Sequence, residues 1–251
     1  MIPWREKWRA FAIHFVVTLL LAIGAAAIIF WVWFPDPFDR LVGGAELFML
    51  VVGCDLVLGP LISLVIYDSR KSRVKLVFDY CVIGVMQLAA LVYGVWIVAG
   101  SRPAYVVFAG DRLEIVVASD IRPDELSAAR DPAYRSLPVM GPRLVAAVVP
   151  PADMNDAIFQ ALQGNEDHTR PKFYVPYESQ LANVLKRSRT LDELEQRHPD
   201  SAPKLADARA ATGLPATRLR FLPVRFHQVF WTVLIDAESG QPLAYFDFDP
   251  Y

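Results

Sequence analysis

"GCDLVLGPLISLVIYDSRKSR", residues 53–73, decides the fold. It opens inside an apolar run and ends in a burst of positive charge. One carboxylate, Asp55, stands among Val51, Val52, Cys54, Leu56, Val57 and Leu58. About 20 apolar residues in a helix span the ~30 Å of bilayer hydrocarbon. Read outward, this run covers residues 46–67, and residues 11–34 and 76–99 satisfy the same rule. The sequence therefore predicts three transmembrane helices.

The first span begins like a signal peptide, with basic residues before it and small side chains in "AIGAAA". It continues through "IIFWVWF", too far for a cleaved leader, and reads as an anchor. Lys and Arg placement sets direction. Arg5, Lys7 and Arg9 precede span one, and Arg70, Lys71, Arg73 and Lys75 fill the loop between spans two and three. The loop "PDPFDRLVGGA" holds only Arg40 beside Asp36 and Asp39. The N-terminus and the basic loop are thus expected in the cytoplasm, and everything after residue 100 outside it. Trp4, Trp8, Trp31 and Trp33 sit where interfacial anchors belong.

Of the 251 residues 54% are hydrophobic, and most of that excess precedes residue 100. The net charge of -2 gives no electrostatic basis for nucleic-acid binding. Both cysteines, Cys54 and Cys81, fall in the apolar part, so the remainder has neither a disulfide framework nor a thiolate metal site.

Ionisable groups inside a bilayer cost on the order of 2.5–3.5 kcal/mol at its centre and need a partner or a wet surface. Counted from the span ends, Asp55 lies roughly 13 Å below the outer end of its span. Gln87 falls at a similar level, so an Asp55–Gln87 hydrogen bond is expected. His14 and Asp79, each about a turn inside the cytoplasmic end of its span, form the second expected pair. Either these pairs only join the helices, or Asp55 faces a partner helix or a proton or substrate path. Gly59 and Pro60 are expected to kink span two just below Asp55 and to free backbone carbonyls there.

From Arg102 the pattern becomes short alternating runs. Residues 104–118 read as a β-hairpin around Ala109-Gly110-Asp111-Arg112, and residues 143–150 as a strand. Helices are expected over 152–164, 177–188, 190–198 and 202–213, with Thr190 and Glu193 in capping-box spacing. The chain closes in strands, with a hairpin around residues 236–240. The expected fold class is α+β: a three-span domain over 1–100, then an extracytoplasmic mixed α+β domain over 101–251 with antiparallel hairpins at both ends, expected on one antiparallel sheet.

The search for chemistry finds little. His168, His198 and His227 lack metal-ligand spacing, and no G-x-S-x-G, P-loop or G-x-G-x-x-G occurs. Asp247 and Asp249 read as a solvated strand edge, and Arg102, Arg112 and Glu114 as groups near lipid headgroups. In the loop 164–179, Phe173, Tyr174 and Tyr177 either touch a partner or cover the sheet. No catalytic residue, metal or cofactor is expected.

These features together resemble the TfpX/TfpZ family of type IV pilin accessory proteins. The resemblance rests on "KWRAFAIHF" (7–15), "DLVLGPLISLVIYD" (55–68), "KLVFD" (75–79), "QLAALVYG" (87–94) and "RPAYVVFAGDRLEIV" (102–116). Beyond these, only the general outline of an α+β tail and a final hairpin like "FWTVLIDAESGQPLAYF" (230–246) agree. The resemblance implies a non-enzymatic inner-membrane protein that handles the major type IV pilin before polymerisation. Asp55, Gly59, Pro60 and Gln87 would then meet the pilin helix, and the outer domain its head. The alternatives are a membrane enzyme acting on an envelope substrate through acids such as Asp55 or Asp79, and a ligand-binding membrane adaptor.

Overall fold

A computed structural model describes residues 4–67, 71–199 and 202–251, so Arg70 of the expected basic loop lies outside the described residues. The chain forms two compact units, Met1–Ser101 and Arg102–Tyr251.

In the first unit α1 (Trp4–Ile28) runs on through a π-helical turn, Ile29–Trp33. A short α2 (Phe38–Leu41) precedes α3 (Gly44–Ile66) and α4 (Arg73–Gly100). Among the described residues, α1 with its extension, α3 and α4 are long and apolar enough to cross a membrane. Large apolar side chains such as Leu20, Val65, Val85 and Met86 face outward, as lipid-facing surfaces require. Inside, Ile29, Phe34, Phe48 and Val98 form a buried cluster at the end of the bundle near the α1–α3 connection. The helix α3 packs closely against both α1 and α4, whereas the backbones of α1 and α4 lie further apart and meet through side chains. Gly94 permits part of that contact, because a Cβ there would overlap the Val51 side chain.

The second unit is built on a mixed sheet. β1 (Pro103–Ala109) and β2 (Arg112–Val117) form the expected antiparallel hairpin. Next come α5 (Pro123–Ser127), β3 (Arg143–Ala147), α6 (Met154–Leu162) and β4 (Tyr174–Pro176). Then α7 (Leu181–Arg187), β5 (Arg189–Thr190), α8 (Leu191–Arg197) and α9 (Ala202–Thr212) lead to β6 (Leu219–Phe226), β7 (Val229–Asp236) and β8 (Pro242–Phe246). Among the described residues the strand order is β4-β3-β1-β2-β6-β7-β8, with β5 paired to β6.

The sheet departs from an all-antiparallel reading in two places. β3 returns parallel to β1 after a long crossover, and β6 lies parallel to β2. The second pairing is short, covering only Leu113↔Val224 and Glu114↔Arg225. It joins two halves that are contiguous in sequence: β1 to β4 on one side, β5 to β8 on the other. Each half has its own core. Tyr105, Val107, Val116, Tyr134, Val145 and Tyr174 fill the first, and Leu191, Leu194, Leu205, Phe221, Leu234 and Phe246 the second.

Candidate functional site

The intramembrane polar residues gather on facing sides of α1, α3 and α4, but with different partners from those expected. On α3, Asp55, Gly59 and Ser63 recur every four residues and therefore share one face. His14 of α1 lies between Ser63 and Gln87 of α4. Its Nε2 donates to Gln87 Oε1 at 2.7 Å, and its Nδ1 accepts from the Ser63 hydroxyl. One donor and one acceptor are what a neutral imidazole offers. Gly59 has a steric reason beyond any kink, since a Cβ there would overlap the Gln87 side-chain amide. Pro60 sits inside α3 without ending it.

Asp79, expected beside His14, instead receives Lys71 Nζ at 2.6 Å. The same ammonium donates to the Ile66 carbonyl at 3.1 Å, closing the C-terminal end of α3, where a cation suits the helix dipole. His14 thus meets Gln87 rather than Asp79, Asp79 meets Lys71, and Asp55 meets neither, while α1 begins at Trp4 and α4 at Arg73, ahead of the apolar runs read from the sequence.

A serine hydroxyl on an imidazole also suggests nucleophilic chemistry. Ser63, however, is 0% exposed, so no substrate reaches its hydroxyl, and the trio acts as a tie between three helices.

Asp55 stands apart from this tie, roughly 12 Å along α3 from Ser63. Among the described residues no hydrogen bond or ion pair reaches its carboxylate. It opens into a cavity of about 190 Å³ whose walls include Val17 and Leu21 of α1 and Leu88 and Leu91 of α4. Gln87 lines the same cavity without bonding Asp55. The cavity is thus a mainly apolar cleft between α1 and α4, with one acid on its α3 floor and His14 and Gln87 of the tie at its edge. Cys54 and Cys81 are both free and exposed.

In the second unit the aromatic trio does not present a surface. Phe173, Tyr174 and Tyr177 are 1%, 3% and 0% exposed. The turn Pro171–Phe173 and the pairing of β4 with β3 direct them inward. The Tyr174 ring meets Tyr105 edge-on at 4.9 Å, and the Tyr177 hydroxyl donates to the Gly240 carbonyl at 2.7 Å. Their amphipathic composition matched either reading, and the sheet claimed them.

Sequence reasoning missed a charge network at the joint between the sheet halves. Arg225 Nε donates to Glu114 Oε2 at 2.8 Å, and its Nη2 donates to Glu166 Oε2 at 2.9 Å. Arg112 lies 3.6 Å from the other Glu114 oxygen, and His168 Nδ1 lies 3.4 Å from Glu166. Burial raises the Glu114 pKa against the pull of Arg225. The available signal was a lone Glu in "RLEIVV" and a lone Arg in "LPVRF", each flanked by apolar residues. Among the described residues no group of His, Cys, Asp and Glu is arranged to hold a metal.

Residues 2–43 match the family described as fimbrial assembly protein FimB. Across most of its length the chain is similar to the fimbrial assembly protein of serogroup E1 from Dichelobacter nodosus. The two are 31% identical over 232 residues, covering 89% of this chain and 88% of that protein. The serogroup I protein of the same organism is 32% identical over 181 residues, covering 71% of this chain and 70% of the relative. That of serogroups C1 and C2 is 36% identical over 117 residues, covering 47% of this chain and 89% of the relative. No solved structure matches.

Proposed function

This chain belongs to the fimbrial assembly protein family, and we propose that it is a TfpX/TfpZ-type accessory protein that receives the major type IV pilin in the inner membrane. The relatives' names support a role in pilus biogenesis, and a non-enzymatic one. On this reading the three long helices span the inner membrane, with the N-terminus and the Lys71, Arg73 and Lys75 cluster cytoplasmic and the sheet unit periplasmic. The asymmetry of Lys and Arg supports that orientation.

One observation carries the partner assignment: a carboxylate without a partner among the described residues, on the floor of an apolar cleft that α1 and α4 leave open. Burying a polar group in hydrocarbon is costly unless something answers it. An entering pilin helix with a donor at that depth would complete the cleft as a fourth helix.

The test is a photoreactive residue at position 55 in cells that make the pilin. Capture of pilin supports the reading. Capture of only this chain's own α1 or α4, at normal protein levels, refutes it.

A further inference from the structure

The joint of the outer sheet holds a second cavity, unrelated to the membrane cleft. It is about 420 Å³, within the ~300–1,000 Å³ range of small-ligand sites. It lies just past the two register pairs of β2 with β6, where β6 ends and the last residues of β2 continue. Open sheets place ligands in this position, outside the carboxyl ends of parallel strands. Three segments enclose it: the end of β2 with Asp120 and Arg122, the loop 163–169, and the turn after β6.

Its lining residues are mostly polar, and its arginines are already engaged. Arg225 is held by Glu114 and Glu166, Arg122 is bidentate to Asp124 at 3.0 and 2.6 Å, and Asp120 lies 3.5 Å from His227. An anion finds no uncommitted arginine here, and a metal ion finds no ligand cluster among the described residues. An apolar ligand finds Ile115 as its one aliphatic contact. Hydrogen-bonding capacity remains, because paired carboxylates keep free lone pairs. Among the described residues nothing bonds the Gln163 side-chain amide or His168 Nε2. Burial pushes the His168 pKa down to about 4, so the ring is neutral near pH 7 and offers one donor and one acceptor.

The backbone at the mouth sets a ring beside it. His227 opens the two-residue turn between Phe226 and Val229 with φ 51°, the left-handed conformation that such turns require. There its ring, 62% exposed, lies stacked on Phe226 at 4.2 Å. A flat face thus borders a polar hollow whose arginines are engaged.

We propose that this crevice binds a neutral polyhydroxylated ligand, a mono- or disaccharide unit of a glycan. Hydroxyls both donate and accept, so they join existing ion pairs without having to break them. A sugar ring covers the His227 face, whereas the side chains of a bound peptide would have no apolar seat.

The test uses the full-length protein in lipid nanodiscs, since glucoside and maltoside detergents would compete. Saturation-transfer NMR is run with N,N′-diacetylchitobiose, cellobiose and maltose, and with triglycine blocked at both ends and inorganic phosphate as contrasts. At least one disaccharide should bind. Gln163→Ala or His227→Asn, both at exposed positions, should weaken it about tenfold without changing the melting temperature. Absence of saccharide binding, binding that both variants leave unchanged, or binding of the blocked peptide in its place overturns the proposal.

Discussion

His168 ties the stability of the second unit to pH. Burial is the main cause of its lowered pKa, which falls from 6.5 to about 4. Glu166 pulls the other way, and Arg225, Arg112 and His227 add to the lowering. The ring is largely enclosed, at 15% exposed. As pH falls through 6.5 the unfolded chain takes up a proton at this position, while the folded chain stays neutral until about 4. Stability is therefore full above 6.5, is lost progressively as pH falls, and levels off below about 4. At 1.36 kcal/mol per pH unit the interval is worth about 3 kcal/mol. For a unit of this size that is roughly 6–12 °C in melting temperature. The assay is thermal melting of the full-length protein in nanodiscs across this pH range, for wild type and His168→Gln. Other carboxylates titrate in both proteins, so the difference between the two curves isolates His168. The wild-type curve should fall more steeply by roughly that amount. Parallel curves, or a wild type that gains on the variant toward pH 4, would refute the reasoning.

Three further outcomes follow from named contacts. Gly59→Ala should lower melting temperature and steady-state level through overlap with Gln87, costing about 1–3 kcal/mol, and Gln87→Ala should rescue it in a double-mutant cycle. No rescue means the two side chains do not meet. Tyr177→Phe should cost about 1–2 kcal/mol in denaturant unfolding, because the Gly240 carbonyl loses its donor; an unchanged midpoint counts against that bond. Arg225→Ala leaves Glu114, whose side chain is 6% exposed, with only the longer Arg112 contact, and should cost about 3 kcal/mol. Adding Glu114→Leu should recover most of that, and failure to recover places the loss elsewhere.

How much could be read from the sequence depended on the range of the interaction. Span identity is local: a run such as residues 46–67 declares itself through length and hydropathy, and the structure answers with Gly44–Ile66. Thr190 caps α8 from its own turn and was legible for the same reason. Partnership inside the membrane was not. Whether His14 meets Asp79 or Gln87 depends on where each helix starts and on how α1 and α4 splay around α3. The hairpin β1–β2 needed only its turn, whereas the β2–β6 pairing brings Glu114 to Arg225 across more than a hundred residues. Nothing in "RLEIVV" names that partner. Phe173, Tyr174 and Tyr177 show the remaining gap, because aromatic side chains with polar ends suit a core and an interface equally well.

The two-rung pairing between β2 and β6 is a thin seam of backbone hydrogen bonds across the sheet of the second unit. On either side stands a contiguous stretch of chain with a cluster of its own, and what crosses includes the buried Leu113–Val224 pairing, one buried ion pair, a loop carboxylate and the Tyr177 hydroxyl. Local opening free energies follow such boundaries. Amide exchange should therefore divide near residue 180 into two blocks that lose protection separately. A partner gripping one block could pivot it against the other while both cores stay intact.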